Sequence, residues 1–118
     1  MPEDYRPSIC ILAQAMRHLR PMAILHAPNR LRDRSATIAR ALADAKRLCV
    51  LETLAAGERS VSELSRDVGC QVPNMSQHLS VLRNAGIVTT RREGSTVFYR
   101  LADQQILEIY RLMQQVAG

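Results

Sequence analysis

Residues 60–101 of this chain read SVSELSRDVGCQVPNMSQHLSVLRNAGIVTTRREGSTVFYRL, and this stretch decides the fold. At its start, Val61, Leu64 and Val68 recur at spacings of three and four residues, which predicts a short helix with one inward face. The next residues, Gly69-Cys70-Gln71, predict a tight turn. A short helix followed by a tight turn is typical of the first half of a helix-turn-helix motif.

A second helix is predicted from Val72-Pro73 to Arg83. Proline is tolerated at its start because the amide hydrogens of a first helical turn have no intrahelical partners. Met75, Leu79 and Leu82 are expected to face the core. The opposite face carries short hydrogen-bonding side chains, which suit a helix that reads base edges in the major groove of DNA. These side chains belong to Asn74, Ser76, Gln77 and Ser80.

A basic hairpin is predicted after the second helix. Residues 87–90 and 96–101 favour strands, and the second segment alternates like a half-buried strand. Residues 91–95 are expected to form a charged tip, where Arg91 and Arg92 would bind phosphate without reading sequence. The order of helix, turn, helix and hairpin predicts a mainly α (α+β) chain, a winged helix-turn-helix with a two-stranded wing.

Three separated motifs resemble the ArsR/SmtB family of winged-helix repressors. They are ALADAKRL at residues 41–48, SQHL at 76–79 followed by LRNAGIV at 82–88, and RREG at 91–94 followed by FYRL at 98–101. The resemblance extends over roughly residues 36–116. It implies a bacterial repressor that binds double-stranded DNA as a homodimer and leaves its operator when an inducer binds.

The predicted DNA contacts divide into base readers and phosphate binders. Ser76 and Gln77 are expected to read bases in each half of an inverted repeat, and the arginines are expected to hold phosphates. His78, where the family motif also has a histidine, could donate to a phosphate or tie the helix to its neighbours. The full predicted set is Asn74, Ser76, Gln77, His78, Ser80, Arg83, Arg91, Arg92 and Ser95.

The composition fits one domain with an aliphatic core, since 47% of the residues are hydrophobic and only 3% are aromatic. The net charge of +5 favours an anionic partner. Residues 1–40 contribute +4, from seven arginines and three acidic residues, and the remainder contributes +1, from nine basic and eight acidic residues.

We expect an N-terminal extension, residues 1–34, and a DNA-binding domain, residues 35–118. The extension could be a solvated, partly helical or disordered segment, or an arm that follows the DNA backbone.

The segments before the motif predict further helices. Residues 8–20 could form an amphipathic helix, and Pro28-Asn29 is expected to be a turn or linker. A helix is predicted from about residue 35 to residue 42. Asp44 then occupies the N-cap position of a helix over residues 46–55.

A last helix is predicted after Asp103, which would cap it. Its apolar residues recur at a spacing typical of coiled coils. They could belong to the intramolecular core, but packing in a dimer is the better explanation, so we expect dimerisation through terminal helices. These residues are Ile106, Ile109, Met113 and Val116.

The metal sites that are common in the resembled family are absent. One type has a Cys-Val-Cys run at the start of the first motif helix, where this chain has Ser60 and Ser62, and hydroxyls are poor ligands for soft ions. The other type needs a histidine on the last helix, where Gln105 stands. We therefore expect no zinc site of either type and no cofactor.

The candidate sensing residues are Cys10, Cys49 and Cys70. A thiol-sensing branch of the resembled family pairs a cysteine of the second helix with one of the last helix. Here Glu52 occupies the first position, and the last helix has no cysteine. Basic neighbours of Cys49 and the helix that follows Cys70 would favour thiolate. Alternatively, Cys49 is a small core residue and Cys70 an incidental turn residue. A metalloid site that includes Cys10 also stays open.

Two other function classes fit the sequence less well. A winged helix used only for protein contacts would not need Asn74, Gln77 and the arginines on one face. An enzyme would need a nucleophile with its base, a phosphate loop or paired acids, and the sequence has no such pattern. No segment has the length of a transmembrane helix and no secretory signal is present, so a cytoplasmic protein without a membrane partner is expected.

Overall fold

The computed structural model describes residues 29–118. This part of the chain contains five helices and one three-stranded antiparallel sheet. The elements are α1 (Asn29–Leu42), α2 (Ala45–Ala55), β1 (Arg59–Ser60), α3 (Val61–Val68), α4 (Val72–Asn84), β2 (Val88–Glu93), β3 (Thr96–Leu101) and α5 (Gln105–Ala117). The predicted helix over residues 8–20 and the candidate residue Cys10 lie outside the described residues.

Helix α1 begins at Asn29, so the predicted turn or linker at this residue and the helix start near residue 35 were wrong. Residues 30–42 contain neither glycine nor proline and are rich in arginine, alanine and leucine, which favour helix. The side-chain oxygen of Asn29 also accepts a hydrogen bond from Arg32 Nη1 at 2.7 Å. The proposed boundary after residue 34 lies within α1 and stays a prediction; residues 35–118 form one compact unit.

The capping residue of α2 is as predicted. Asp44 has an extended backbone, and its Oδ1 accepts hydrogen bonds from the backbone N–H groups of Lys46 at 2.9 Å and Arg47 at 3.1 Å. These two groups would otherwise lack partners, because the first turn of a helix leaves its N–H groups free. Asp44 therefore separates α1 from α2 and directs the chain into the second helix.

Helices α3 and α4 form the predicted helix-turn-helix. Ser60 and Glu63 make a reciprocal capping box at the start of α3. Gly69 ends this helix with a φ of +76°, a conformation that glycine adopts without steric cost. Helix α4 then begins at Val72, with Pro73 in its first turn. Local caps thus set both ends of the turn.

The core lies where α2, α3 and α4 meet the sheet and the start of α5. Apolar burial of this kind contributes about 1.5–3 kcal/mol for each large side chain. The inward residues of α4 are fully buried, as predicted, so this helix has one fixed orientation on the core. The largest fully buried side chains belong to Val50, Leu51, Leu64, Met75, Leu79, Leu82, Ile87 and Val88.

The wing has a third strand that the sequence did not predict. Strand β1 pairs with β3, with Arg59 opposite Tyr99 and Ser60 opposite Phe98, and the sheet order is β1-β3-β2. Strands β2 and β3 pair from Val88↔Leu101 to Glu93↔Thr96, so only residues 94–95 form the turn. The predicted tip over residues 91–95 was too long, because the charged residues at its start fit the strand ladder.

None of the helices in the described part of the chain combines the length and the apolar character that a membrane-spanning segment requires.

Candidate nucleic-acid interface

The exposed face of α4 carries the side chains that the sequence predicted as base readers. Because Met75, Leu79 and Leu82 are fully buried, the residues between them must point away from the core. Asn74 and Gln77 lie on one flank of the exposed face, and Ser76, Ser80 and Arg83 lie on the other. All five of these side chains are exposed.

An open groove of about 620 Å³ runs between α4 and the start of α2. Its walls combine basic and hydrogen-bonding side chains with a single aliphatic residue, Val81, and with Cys70. The groove therefore extends the polar surface of α4, the recognition helix, toward α2. The lining residues are Lys46, Arg47, Gly69, Cys70, Gln71, Asn74, Gln77, His78 and Val81.

Lys46 supports the turn between the two motif helices. Its Nζ donates to the backbone carbonyl oxygens of Val68 at 3.1 Å and Gly69 at 3.3 Å. The last carbonyls of a helix lack intrahelical partners, and a cation is favoured there. Sequence reasoning missed this role because the contact joins residues that are far apart in the chain.

His78 is half-buried, and its Nδ1 lies 3.3 Å from Arg47 Nη1. The sequence left two roles open for this histidine, a phosphate contact or a tie between α4 and its neighbours. The contact with Arg47 corresponds to the second role, because it connects α4 to α2. Whether the ring also contacts DNA stays a prediction.

Arg91 and Arg92 are neighbours in β2 but have different surroundings. Arg91 Nη2 lies 2.8 Å from Glu58 Oε1, its Nη1 lies 2.6 Å from Glu93 Oε2, and its guanidinium lies over the Phe98 ring. The hydrogen bonds that Arg91 donates to the carboxylates of Glu58 and Glu93 raise the pKa of Arg91 above its usual value, and Arg91 lowers the pKa of Glu58. Arg92 is exposed, and its side chain makes no ion pair within residues 29–118.

Ser95, in the turn of the hairpin, and Arg83, in the last turn of α4, are also exposed. The sequence did not single out Glu58, which lies before β1 and is 33 residues from its partner Arg91. No local pattern indicates such a long-range pair. The wing therefore offers Arg92 and Ser95 to a ligand, while Arg91 is held by acidic partners.

Of the sensing candidates, Cys49 and Cys70 are half-buried free thiols. The Cys70 Sγ lies 3.5 Å from the carbonyl oxygen of Gln71 and lines the groove beside α4. Cys49 packs against the core from α2. Within the described residues, no group of three or more histidine, cysteine, aspartate or glutamate side chains could hold a metal ion.

The Tyr110 hydroxyl of α5 donates a hydrogen bond to Glu52 Oε2 of α2. This bond raises the pKa of the Tyr110 phenol above its usual value. Glu52 stands at the position where the resembled thiol-sensing branch has a cysteine. In this chain a carboxylate and a phenol connect the two helices there.

An apolar surface remains on α5 and α1. The N-cap residue of α5 is Gln104 and not Asp103 as predicted, although Asp103 Oδ1 accepts a hydrogen bond from the Gln105 N–H at 2.8 Å. Of the predicted stripe, Ile106 belongs to the core, whereas Ile109 is 39% exposed and Met113 is 38% exposed. Two apolar hollows share Ile109 and Met113. They are lined by Ser35, Ile38, Ala39, Leu42, Ile109 and Met113, and by Ile109, Leu112, Met113, Val116 and Ala117.

A polar helix exposed after a tight turn, and flanked by a basic hairpin, defines a winged helix-turn-helix DNA-binding domain. The family model for bacterial regulatory proteins of the arsR family matches residues 44–90. The chain belongs to this ArsR family, which confirms the family that the sequence motifs indicated.

Relatives with this fold are transcriptional regulators by name. The regulator KmtR of Mycobacterium tuberculosis is 50% identical over 59% of this chain and 54% of its own length, so the chain spans about half of that relative. The biofilm growth-associated repressor of Agrobacterium fabrum is 42% identical over 69% of each protein. A homodimeric winged helix-turn-helix DNA-binding domain from Mycobacterium bovis is 36% identical, with a TM-score of 0.70 over 75% of this chain and 82% of that one.

Proposed function

We propose that this chain is a sequence-specific transcriptional repressor that binds an inverted-repeat operator as a homodimer and leaves it when an inducer binds. The observation that carries the proposal is that α4 has one buried apolar face and one exposed polar face. Its inward residues are fully buried, and its exposed residues include the polar side chains of Asn74, Ser76, Gln77 and Ser80. A helix fixed in this way presents donors and acceptors to base edges at a constant angle. We also propose a cytoplasmic location and a regulatory role without catalysis.

The proposed DNA contacts follow from which side chains of α4 and of the wing are exposed. Asn74, Ser76, Gln77 and Ser80 would lie in the major groove. Exposed groups at the end of α4 and on the wing, Arg83, Arg92 and Ser95, would bind the flanking phosphates. We assign Arg91 a supporting role, because its charge is already balanced by two carboxylates.

The apolar surface on α1 and α5 supports a dimer. Its exposed side chains include Ile109, Leu112 and Met113, which a monomer would leave in water. A second copy of the chain would cover them, and the relative from Mycobacterium bovis is homodimeric. A fixed dimer is also what presents two recognition helices to half-sites about one helical turn apart.

For the inducer, we propose a thiol-reactive species or a soft metalloid that acts on Cys70 or Cys49. Cys70 is the stronger candidate because it lines the groove beside α4, which Lys46 and Arg47 also line. An added group there would bring bulk and charge close to the DNA-reading face. No resident cofactor is part of the proposal.

The test starts with selection of duplexes that bind the protein from a random library. We expect an inverted repeat, with log K falling against log salt with a slope of about −6 for six to eight neutralised phosphates per dimer. Gln77→Ala should lose about 1–3 kcal/mol on the selected site and little on random duplex, because a base reader carries sequence information. Arg92→Ala should weaken both by a similar factor.

Two results would contradict the proposal. One is selection of no common sequence, which would favour a winged helix that serves only protein contacts. The other is an unchanged ratio of operator to random affinity in Gln77→Ala, which would place the reading face elsewhere.

A further inference from the structure

Arg47 connects three parts of the molecule. It lies in the first turn of α2, and its side chain is only 15% exposed. Its Nε donates to the carbonyl oxygen of Ala41 at 2.6 Å, and its Nη2 donates to that of Arg40 at 3.2 Å. Its Nη1 lies 3.3 Å from His78 Nδ1 and 3.7 Å from Asp44 Oδ2. One guanidinium thus contacts the end of α1, the cap of α2 and the recognition helix.

The contacts with α1 are those of a C-terminal cap. The last carbonyl groups of a helix lack intrahelical partners and carry the negative end of the helix dipole. A planar guanidinium can satisfy two of them at once, because its N–H groups diverge in one plane. The orientation of Arg47 is therefore set by α1, and its remaining N–H groups point toward α4.

The contact with α4 depends on the tautomer of His78. Arginine can only donate hydrogen bonds, so a hydrogen bond across this contact requires His78 Nδ1 to accept. In the hydrogen-bonded form the ring proton is therefore on Nε2. If Nδ1 carried a proton as well, it would face the Arg47 cation and the link would break.

We propose that Arg47 is a positioning residue that holds α4, through His78, against the carboxyl end of α1. This inference rests on the proposed function, because its consequence is for DNA binding. Helix α1 contributes Ile38 and Ala39 to the apolar surface proposed as the dimer interface. His78 adjoins Gln77 on α4. The link through Arg47 therefore relates the angle of the reading face to the dimer interface, and so sets the half-site spacing that the dimer accepts.

The first test does not use DNA. Nitrogen-15 chemical shifts of the His78 ring report which nitrogen carries the proton. At neutral pH we expect the Nε2–H form in the parent protein and exchange between both forms in Arg47→Met, which lacks the donor. An Nδ1–H form in the parent would overturn the inference whatever the protein binds.

The second test compares two uncharged replacements of His78. The oxygen of Asn reaches the position of Nδ1, whereas the amide of Gln reaches that of Nε2. We expect His78→Asn to retain operator affinity within about threefold. We expect His78→Gln and Arg47→Met to lose about tenfold or more, the effect of a lost hydrogen bond to a charged group. Circular dichroism at the same temperature confirms that each variant is folded.

A positioning role is tested by the dependence of operator affinity on the length of the spacer between the two half-sites. The parent should prefer one spacer length. Arg47→Met and His78→Gln should bind operators with one base pair added or removed almost as well as the original, and Arg47→Met should lose less affinity for random duplex than for the operator. Equal behaviour of the Asn and Gln variants, or an unchanged spacer preference in Arg47→Met, would overturn the inference. A parent without any operator preference would instead contradict the proposed function.

Discussion

Arg91 of the wing forms a bidentate ion pair with Glu58, with Nη2 at 2.8 Å from Oε1 and Nε at 3.2 Å from Oε2. Glu58 precedes β1, so this pair joins the base of the sheet to the strand that carries the basic residues. Because Glu93 also binds Arg91, the guanidinium has two carboxylate partners before any DNA arrives.

This arrangement predicts different salt dependences for two adjacent arginines. Arg92→Ala should reduce the slope of log K against log salt by about 1 for each phosphate contact that is lost. Arg91→Ala should leave the slope unchanged, because an arginine that is neutralised by protein carboxylates displaces no counterion from DNA. Titrations of one operator at several salt concentrations measure both slopes. An equal reduction in both variants would mean that Arg91 leaves Glu58 to bind phosphate.

The apolar surface predicts that a single charge separates the dimer. Ile109→Glu should give a monomer in sedimentation analysis, because Ile109 lines both apolar hollows and is 39% exposed in the protomer. Helical content should be retained, and operator affinity should fall. Glu108→Gln, at an exposed neighbouring residue, is the control and should remain a dimer.

This substitution is sharper than truncation before Gln104, which should also give a monomer because it removes all of α5. Truncation removes the core residue Ile106 as well, so loss of the fold would give the same result. A dimeric Ile109→Glu protein would place the interface elsewhere, with residues 8–40 as the next candidate.

Ser65 provides a prediction on stability. It is 8% exposed, and its Oγ is the buried side-chain atom without a hydrogen-bond partner in the described part of the chain. Since a buried hydroxyl without a partner costs free energy, Ser65→Ala should raise the free energy of unfolding by about 1 kcal/mol. Urea unfolding measures the change, and Ser62→Ala, exposed on the same helix, should differ little from the parent. A destabilised Ser65→Ala would indicate that the hydroxyl has a partner in solution.

The proposed thiol response predicts a role for Cys70. Mild oxidant or polysulfide should reduce operator affinity, and a reductant should restore it, because a modified Cys70 lies in the groove beside α4. Cys70→Ser should abolish the response, whereas Cys49→Ser should retain it. If a protein with all three cysteines replaced by serine is still released by the natural inducer in cells, the cysteines have structural roles.

The sequence alone determined the helices of the motif, the turn between them and the two longer strands of the wing. These features depend on local information. Apolar residues at helical spacing selected the inward face of α4, Asp44 and Gly69 marked helix ends, and alternation over residues 96–101 indicated a strand. Because the base readers lie on the face opposite Met75 and Leu79, their exposure followed from the same periodicity.

Only the tertiary structure decided which charged side chains remain available for DNA. Arg91 and Arg92 are equivalent in the sequence, and the difference between them comes from Glu58, far away in the chain. The third strand and the link from Arg47 to His78 likewise join separate segments. Such contacts depend on how the elements pack around a shared core, and neither periodicity nor propensity along one segment contains that information.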